Sequence, residues 1–352
     1  MAMVPAALLG GCAEEVLNTQ PFEPTVWYSI DPSGAISVRV TKAERAQPVG
    51  TALARIVAEE LEADWDAVSI DYVDTDARYG AYLTGGSWSI WTSFDQLSRA
   101  GAAGRVALIA EGARLLGVEP GKCVAESSQV VCGNVQISYG EIVAKGQLSR
   151  TYTDEQLASL PLKDAKDRKL VGVDTLALDV PAKSQGTAIY GIDASLEGMV
   201  YAKPLLPPTR YGSVVRSVDD SAANSVKGYQ QALVLDDPSN SVPGWVLVIA
   251  DSYHAAQRAA QVIEVDWQGG ATTGLQEADI FARADEQISG GEGALVLDDD
   301  GVDAAFESAE QVLEARYTTN TALHFQLEPV NAIGVQRAVS YTHLRAHETL
   351  IY

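Results

Sequence analysis

The sequence predicts an α+β protein: a mixed α/β N-terminal lobe followed by a second, smaller α/β domain. Three observations carry this. A strand, loop, helix, strand, loop unit occupies residues 36–89. A long helical stretch follows over Ser98 to Gly117. Further on, between Val214 and Trp267, strand-like and helix-like segments take turns, the rhythm of an α/β layer.

The elements justify themselves in order. Val26, Tyr28 and Ile30 alternate with polar residues, Ile36, Val38 and Val40 do the same, and Asp31-Pro32-Ser33-Gly34 between them is turn chemistry. The second of these strands delivers a polar loop, Lys42 to Thr51. Val49, Leu53, Ile56, Val57 and Leu61 then recur as one face of a helix. Val68, Ile70 and Tyr72 alternate as a half-buried strand, and Leu83 to Ser89 reads Leu-Thr-Gly-Gly-Ser-Trp-Ser. Glycines let a backbone approach a ligand, and free N–H groups near a helix start favour an anion. The same Gly85-Gly86 also serves as an ordinary turn, with Gln47 in solvent. The residues alone leave both readings open.

Ser98 to Gly117 carries Ala102, Val106, Ile109 and Ala113 on one face and Gly117 as its stop. Its small residues, Ala100 to Gly104, suit close packing against another element. Cys123 and Cys132 form either a disulfide, as an exported protein permits, or two small apolar positions in a hairpin. A metal site there is not expected, since no histidine lies nearby. Tyr139 to Ile142 opens a short helix. Residues 151–183 read as a linker, polar and punctuated by Pro161 and Pro181. In residues 184–270, strands are expected at Val214 to Val218, Gln231 to Leu235, Trp245 to Ala250 and Val262 to Trp267, with helices at Ala222 to Ser225 and Tyr253 to Gln261. Residues 271–338 hold helices at Ala278 to Ile288 and Val302 to Ser308 and a strand at Val312 to Tyr317. Asp298-Asp299-Asp300-Gly301 lacks the ligand spacing of a calcium loop and reads as a solvated charge run.

Composition narrows the function. A formal charge of -22 over 352 residues excludes a nucleic-acid binder. Three cysteines fall short of the four thiolates an iron–sulfur cluster takes. No Gly-x-Gly-x-x-Gly follows a strand, which removes a nucleotide-dependent dehydrogenase. Residues 1–21 read as the remnant of an export signal. Val4 to Gly11 is too short to span a bilayer, and Leu9-Gly10-Gly11-Cys12 is similar to a lipoprotein cleavage box with Cys12 as the candidate lipidation site. The expected location is the bacterial periplasm. An ordinary N-terminus with a plain cysteine is the other reading.

Four short motifs in order carry a resemblance. Glu44 to Ala52, Ala58-Glu59-Glu60-Leu61, Thr84-Gly85-Gly86-Ser87 and Arg99-Ala100-Gly101-Ala102 resemble the molybdopterin-binding large subunits of the xanthine dehydrogenase and aldehyde oxidase family, of the isoquinoline 1-oxidoreductase beta-subunit type. Gly186 to Asp193 and Gly198 to Ala202 resemble the start of that family's hammerhead domain, and His324 to Ala332 its His-x-x-Met-Glu-Pro-x-Asn-Ala segment, with Leu327 in the methionine position. The resemblance implies a molybdopterin-contacting lobe over 22–150, a linker over 151–183, a hammerhead domain over 184–270 and the start of a further molybdopterin-binding domain over 271–338. Residues 339–352 fit nothing in the family and read as a non-native tail; no metal site is assigned to His343 and His347.

The implied activity is a bacterial hydroxylase that oxidises an aldehyde or N-heterocycle with water-derived oxygen. The implied cofactor is molybdopterin, as molybdenum cytosine dinucleotide, and electrons would pass to a small two-iron–two-sulfur subunit. Gln47, Thr84, Gly85, Gly86 and Ser87 are the carried-over cofactor contacts. No catalytic residue is carried over, because the family's glycine-rich segment and base glutamate match nothing here, and the fragment alone is expected to be inactive. The family's Gly-Gln-Gly is Ala46-Gln47-Pro48 in this chain, which removes backbone freedom and one N–H. An exported lipoprotein or binding module that keeps the fold without redox activity is the alternative.

Overall fold

The hairpin and crossover expected at the N-terminus are built from alternating burial. In the computed structural model, β1 (Phe22–Thr25), β2 (Tyr28–Ile30) and β3 (Ile36–Val40) pair antiparallel in sequence order. Tyr28, Ile30, Ile36, Val38 and Val40 are all buried. Val26 lies in the link between β1 and β2, not in a strand. The turn closes as its residues dictate, with the Gly34 N–H donating to the Asp31 carbonyl at 2.8 Å and the Ser33 N–H to the Asp31 carboxylate at 2.6 Å. Helix α1 (Val49–Leu61) then carries the chain to β4 (Val68–Tyr72), which pairs parallel to β3. The sheet order is β1-β2-β3-β4.

The structure describes residues 17–148, 152–291, 293–294, 296–297, 299–322, 329–337 and 340–345. Cys12, His324, Leu327, Glu328 and His347 lie outside them. The chain divides into two compact units: Met1–Asp193 with Glu328–Tyr352, and Ala194–Leu327.

Helix α1 is buried nearly all round, not on one face. Only Ala52 and Arg55 escape, because α1 lies between the sheet and α2 (Ser89–Leu116). The latter begins at Ser89 rather than the expected Ser98. Its first turns are exposed, with Trp91 at 78%, and burial sets in at Leu97, so no apolar face announced them. The small residues of α2 do serve packing. A Cβ on Gly101 would stand 2.5 Å from the Val57 carbonyl oxygen, and one on Gly104 would stand 1.9 Å from the Tyr28 hydroxyl.

Strands β5 (Val124–Glu126), β6 (Gln129–Cys132) and β7 (Val135–Ser138) form an antiparallel sheet. Cys123 and Cys132 are joined as a disulfide across the first hairpin, beside the Val124–Val131 pair. Helix α3 (Tyr139–Lys145) starts on a Ser138–Glu141 capping box. The buried Tyr139 hydroxyl donates to the Leu61 carbonyl at 2.7 Å.

The expected linker is instead bound to α1. After α4 (Asp154–Ala158), the N–H groups of Lys169, Leu170 and Val171 donate to the Glu59 carboxylate at 3.0, 2.6 and 2.9 Å. The Lys163 N–H reaches Glu60 at 3.1 Å, and the Lys163 ammonium pairs with Glu59 and Glu62. The segment then runs back along the helix. Arg55 donates to the Val173 carbonyl, and the Leu178 N–H reaches the Thr51 hydroxyl at 3.0 Å. Helix α5 (Val180–Gln185) follows. The polar groups of this segment are thus partners for two glutamates that are each 2% exposed. The division between units falls at Asp193, not at the expected 183.

The second unit alternates strands and helices as expected, but its strands pair antiparallel. One sheet has the order β10-β11-β8, from β8 (Tyr201–Leu205), β10 (Tyr229–Val234) and β11 (Val246–Ala250); the other pairs β9 (Val214–Asp219) with β12 (Glu264–Gln268). Helix α6 (Tyr253–Ala260) links strands of different sheets, so alternation here gives no parallel βαβ unit. Helices α7 (Glu277–Gly290) and α8 (Val302–Ser308) fall where expected. Val312 to Tyr317 is not a strand; no partner pairs with it among the described residues, and Leu313 and Tyr317 are exposed. Beyond it, β13 (Ala332–Arg337) and β14 (Ser340–Arg345) form an antiparallel hairpin, grouped with the first unit.

Candidate functional site

The two loops singled out in the sequence meet. The first leaves the end of β3 and enters α1; the second leaves β4 by way of a turn at Ala77–Tyr79 and enters α2. Three side chains stitch them together. The Lys42 ammonium donates to the Ala81 carbonyl at 3.3 Å, Arg45 donates to the Thr84 carbonyl at 3.1 Å, and the Thr84 hydroxyl donates to the Ala43 carbonyl at 3.3 Å. The parallel pairing of β3 and β4 makes this possible, since it brings both strand ends out on the same side.

The expected contact residues take distinct places. Thr84 is half-buried and committed to the seam. Gly85 is open: a Cβ there would meet only the Leu83 side chain, at 3.9 Å. Gly86 and Ser87 both take left-handed backbone, with φ of 60° and 59°. Both are exposed, and their N–H groups make no hydrogen bond to a described residue. Gln47 is exposed, and its N–H donates to the Glu44 carboxylate at 2.8 Å while its amide side chain is uncommitted among the described residues. Ala46, where the resembled family has glycine, has a φ of 60°. The loop thus keeps a glycine-type conformation after the glycine itself is gone.

The structure adds residues the sequence reading passed over. Glu44 accepts from the Tyr72 hydroxyl at 3.3 Å. Burial, then the negative charges of Glu44 and Asp179, push Tyr72 well above the usual phenol range, so it remains a donor. Tyr72 closes over the start of α1, where a Cβ on Gly50 would stand 2.3 Å from its hydroxyl. Asp179, ion-paired with Lys183, has carboxylate oxygens that are buried and otherwise without hydrogen bonds. Burial opposes the charge on Lys183, yet Asp179 first and Glu44 after it hold its pKa above the ordinary value. No local pattern could have found Asp179 or Lys183, which reach the loops only because the 161–179 segment runs back along α1. Lys42 was in view as the first residue of its loop, but nothing in the sequence says that it is buried.

At the other end of α1, a shallow cleft is bordered by Glu59, Glu62, Asp64, Trp65 and Lys169. Glu59 and Glu62 are already paired with Lys163 and Lys169 there, so these charges are spent on one another rather than on a ligand. Groups of three or more metal-ligating side chains are absent among the described residues.

Two stitched loops, open amides and a buried lysine thus come together at one end of the lobe. Residues 3–168 match the family model of the molybdopterin cofactor-binding domain. The chain is 53% identical over 318 residues to a membrane-bound aldehyde dehydrogenase [pyrroloquinoline-quinone] of Gluconacetobacter polyoxogenes, covering 90% of this chain and 41% of that protein. It is 28% identical to the beta chain of isoquinoline 1-oxidoreductase of Brevundimonas diminuta (75% of this chain, 38% of that protein) and 28% identical to a nicotinate dehydrogenase subunit of Pseudomonas putida (81% and 24%). The matched domain and these relatives support a molybdopterin-binding subunit of the xanthine dehydrogenase family. It spans about two fifths or less of the length of these relatives.

Proposed function

We propose that this chain is the cofactor-contacting N-terminal part of the molybdenum subunit of a bacterial hydroxylase whose substrate is an aldehyde or an N-heteroaromatic ring. The observation that carries the reading is the seam between the two loops, which lies within the stretch matching a molybdopterin cofactor-binding domain. The residues fit such a group. Open amides at Gly86 and Ser87, the uncommitted Gln47 amide and the Lys42 ammonium form a donor set suited to a phosphate-bearing heterocycle, and none of them is a carboxylate. When bound, the molybdenum cofactor supplies two-electron oxidation with water as the oxygen source. This chain's part is to bind and orient: Thr84, Lys42 and Arg45 fix the spacing of the loops, Tyr72 and Glu44 hold Gln47 at the entrance, and Gly85 leaves room for close approach.

The names of the relatives support both substrate classes, one an aldehyde dehydrogenase and two acting on N-heterocycles. All three are oxidoreductases, so the binding-module reading is not favoured. Two are named as subunits, which supports a partner, and a two-iron–two-sulfur cluster would sit on that partner, since this chain has three cysteines and two of them are joined. A periplasmic location is supported by that disulfide. The first relative is named for pyrroloquinoline quinone, whereas the matched domain is a molybdopterin cofactor-binding one; the matched stretch contains both loops, and molybdopterin is the reading adopted. The test is direct. Purified from a molybdopterin-producing host, the protein should carry molybdenum and a fluorescent pterin on oxidation. Quinone in place of both would refute the assignment.

A further inference from the structure

Lys42 carries a charge that nothing among the described residues balances. It is 8% exposed, and its one hydrogen bond is to the Ala81 carbonyl, at 3.3 Å. The ammonium therefore sits on the seam between the loops. No carboxylate pairs with it among the described residues, and burial, without a neighbouring charge to offset it, lowers its pKa. The carboxylate of its own loop, Glu44, is committed to the Tyr72 hydroxyl and the Gln47 N–H. In a chain with 47 acidic and 25 basic residues, a buried lysine without an acid runs against the overall balance. An ammonium has three donors, and taking it out of water is unfavourable unless an opposite charge compensates. One carbonyl is not that compensation. The second observation lies across the seam, where the unpartnered N–H groups of Gly86 and Ser87 stand on left-handed backbone.

We propose that Lys42 is an anion-binding residue whose ammonium takes a phosphate oxygen of the cofactor, with the Gly86 and Ser87 amides completing the cradle. The source of the phosphate rests on the molybdopterin reading; the recognised chemistry is a phosphate or pyrophosphate group. The Arg45 and Thr84 bonds of the seam keep the loops together, and the bound anion supplies the missing counter-charge.

The probe is inorganic pyrophosphate, titrated into the full chain and into its K42R and K42Q variants, read by the fluorescence of the exposed Trp88 and Trp91 and by the thermal midpoint. Glutamine keeps a donor for the Ala81 carbonyl and loses the charge. The expected result is saturable, salt-weakened binding to the parent chain, similar binding to K42R, and binding to K42Q weaker by about tenfold or more. Equal binding to parent and K42Q, or no saturable binding to the parent, overturns the proposal. A second measurement needs no substitution: in an NMR titration of the lysine side chains, the midpoint of Lys42 should rise when pyrophosphate is added, and an unmoved midpoint overturns it too. Molybdenum and pterin content tests the parent reading separately. A chain that binds pyrophosphate through Lys42 yet never acquires molybdopterin keeps the anion site and refutes the cofactor.

Discussion

Replacing Gly101 by alanine sets two effects of opposite sign against each other. In a helix interior alanine is favoured over glycine by roughly 1 kcal/mol. At this position the new Cβ would lie 2.5 Å from the Val57 carbonyl oxygen and 2.8 Å from the Glu60 Cβ, both on α1. An ordinary carbon–oxygen contact needs roughly 3.3 Å, so the helices must part by about 0.8 Å to relieve it. The first of these atoms belongs to backbone and cannot rotate away. Overpacking of this kind costs typically 1–3 kcal/mol, and the upper part of that range applies here. Parting the helices also strains the bond from Arg105 to the Glu60 carbonyl, 2.7 Å long. Net destabilisation of about 1–2 kcal/mol is expected after the propensity gain. With a urea m-value of about 2 kcal/mol/M, the midpoint should fall by about 0.5–1 M. Equilibrium unfolding followed by tryptophan fluorescence reads it. A midpoint that stays put or rises would show that propensity wins and that α1 and α2 are not closed against each other at Gly101.

The same substitution at Gly85 should behave in the opposite way: the added methyl makes only an ordinary contact with the Leu83 side chain, at 3.9 Å, so stability should hold within about 0.5 kcal/mol while molybdenum content per chain drops, and unchanged loading would remove Gly85 from the site. Glu59 and Glu60 should titrate with opposite sign. Burial raises the pKa of Glu59, but Lys163 and three backbone N–H groups outweigh it and the net shift is downward; its stabilisation is present above the ordinary glutamate pKa and lost as pH falls through the lowered value. Burial raises Glu60 against the opposing Lys163 N–H and Arg105, so its contribution is present below the ordinary pKa and lost as pH rises through the raised one. Urea midpoints measured from neutral pH down to the acid range should therefore fall more steeply in E60Q than in the parent, and parallel curves would count against this assignment. Reducing the Cys123–Cys132 bridge frees a short loop and should cost about 2–3 kcal/mol, read as a lower thermal midpoint with reductant that a C123S/C132S variant no longer shows.

Much of this was legible in the sequence because local pattern and tertiary context agree. The alternation through Tyr28, Ile30, Ile36, Val38 and Val40, the turn at Asp31, and the limits of α1 all follow from periodicity and turn chemistry. The two loops were legible as well, since strand ends and glycines mark them. What escaped was non-local. Nothing local marked Glu59 and Glu60 as buried, and residues 151–183 looked like a linker, because each supplies the partner that the other's polarity demands. The exposed start of α2 escaped for the converse reason: Ile90 and Trp91 face solvent and give no periodic face. In the second unit, alternation of strands and helices said nothing about which strands pair, and the pairing is antiparallel. The burial of Lys42 is a property of two loops meeting, invisible in either one.

The clasp on α1 also has a consequence for synthesis. Glu59 lies 104 to 112 residues ahead of the groups that satisfy it. At translation rates of about 5–20 residues per second, its carboxylate leaves the ribosome some 5–20 seconds before its first partner does. Over that interval α1 cannot complete its burial, and the loops at its entrance lack their final support. Vectorial production therefore builds the ligand-facing loops first and locks them last, which leaves a window in which the nascent lobe is open to whatever chaperone or cofactor-delivering machinery meets it.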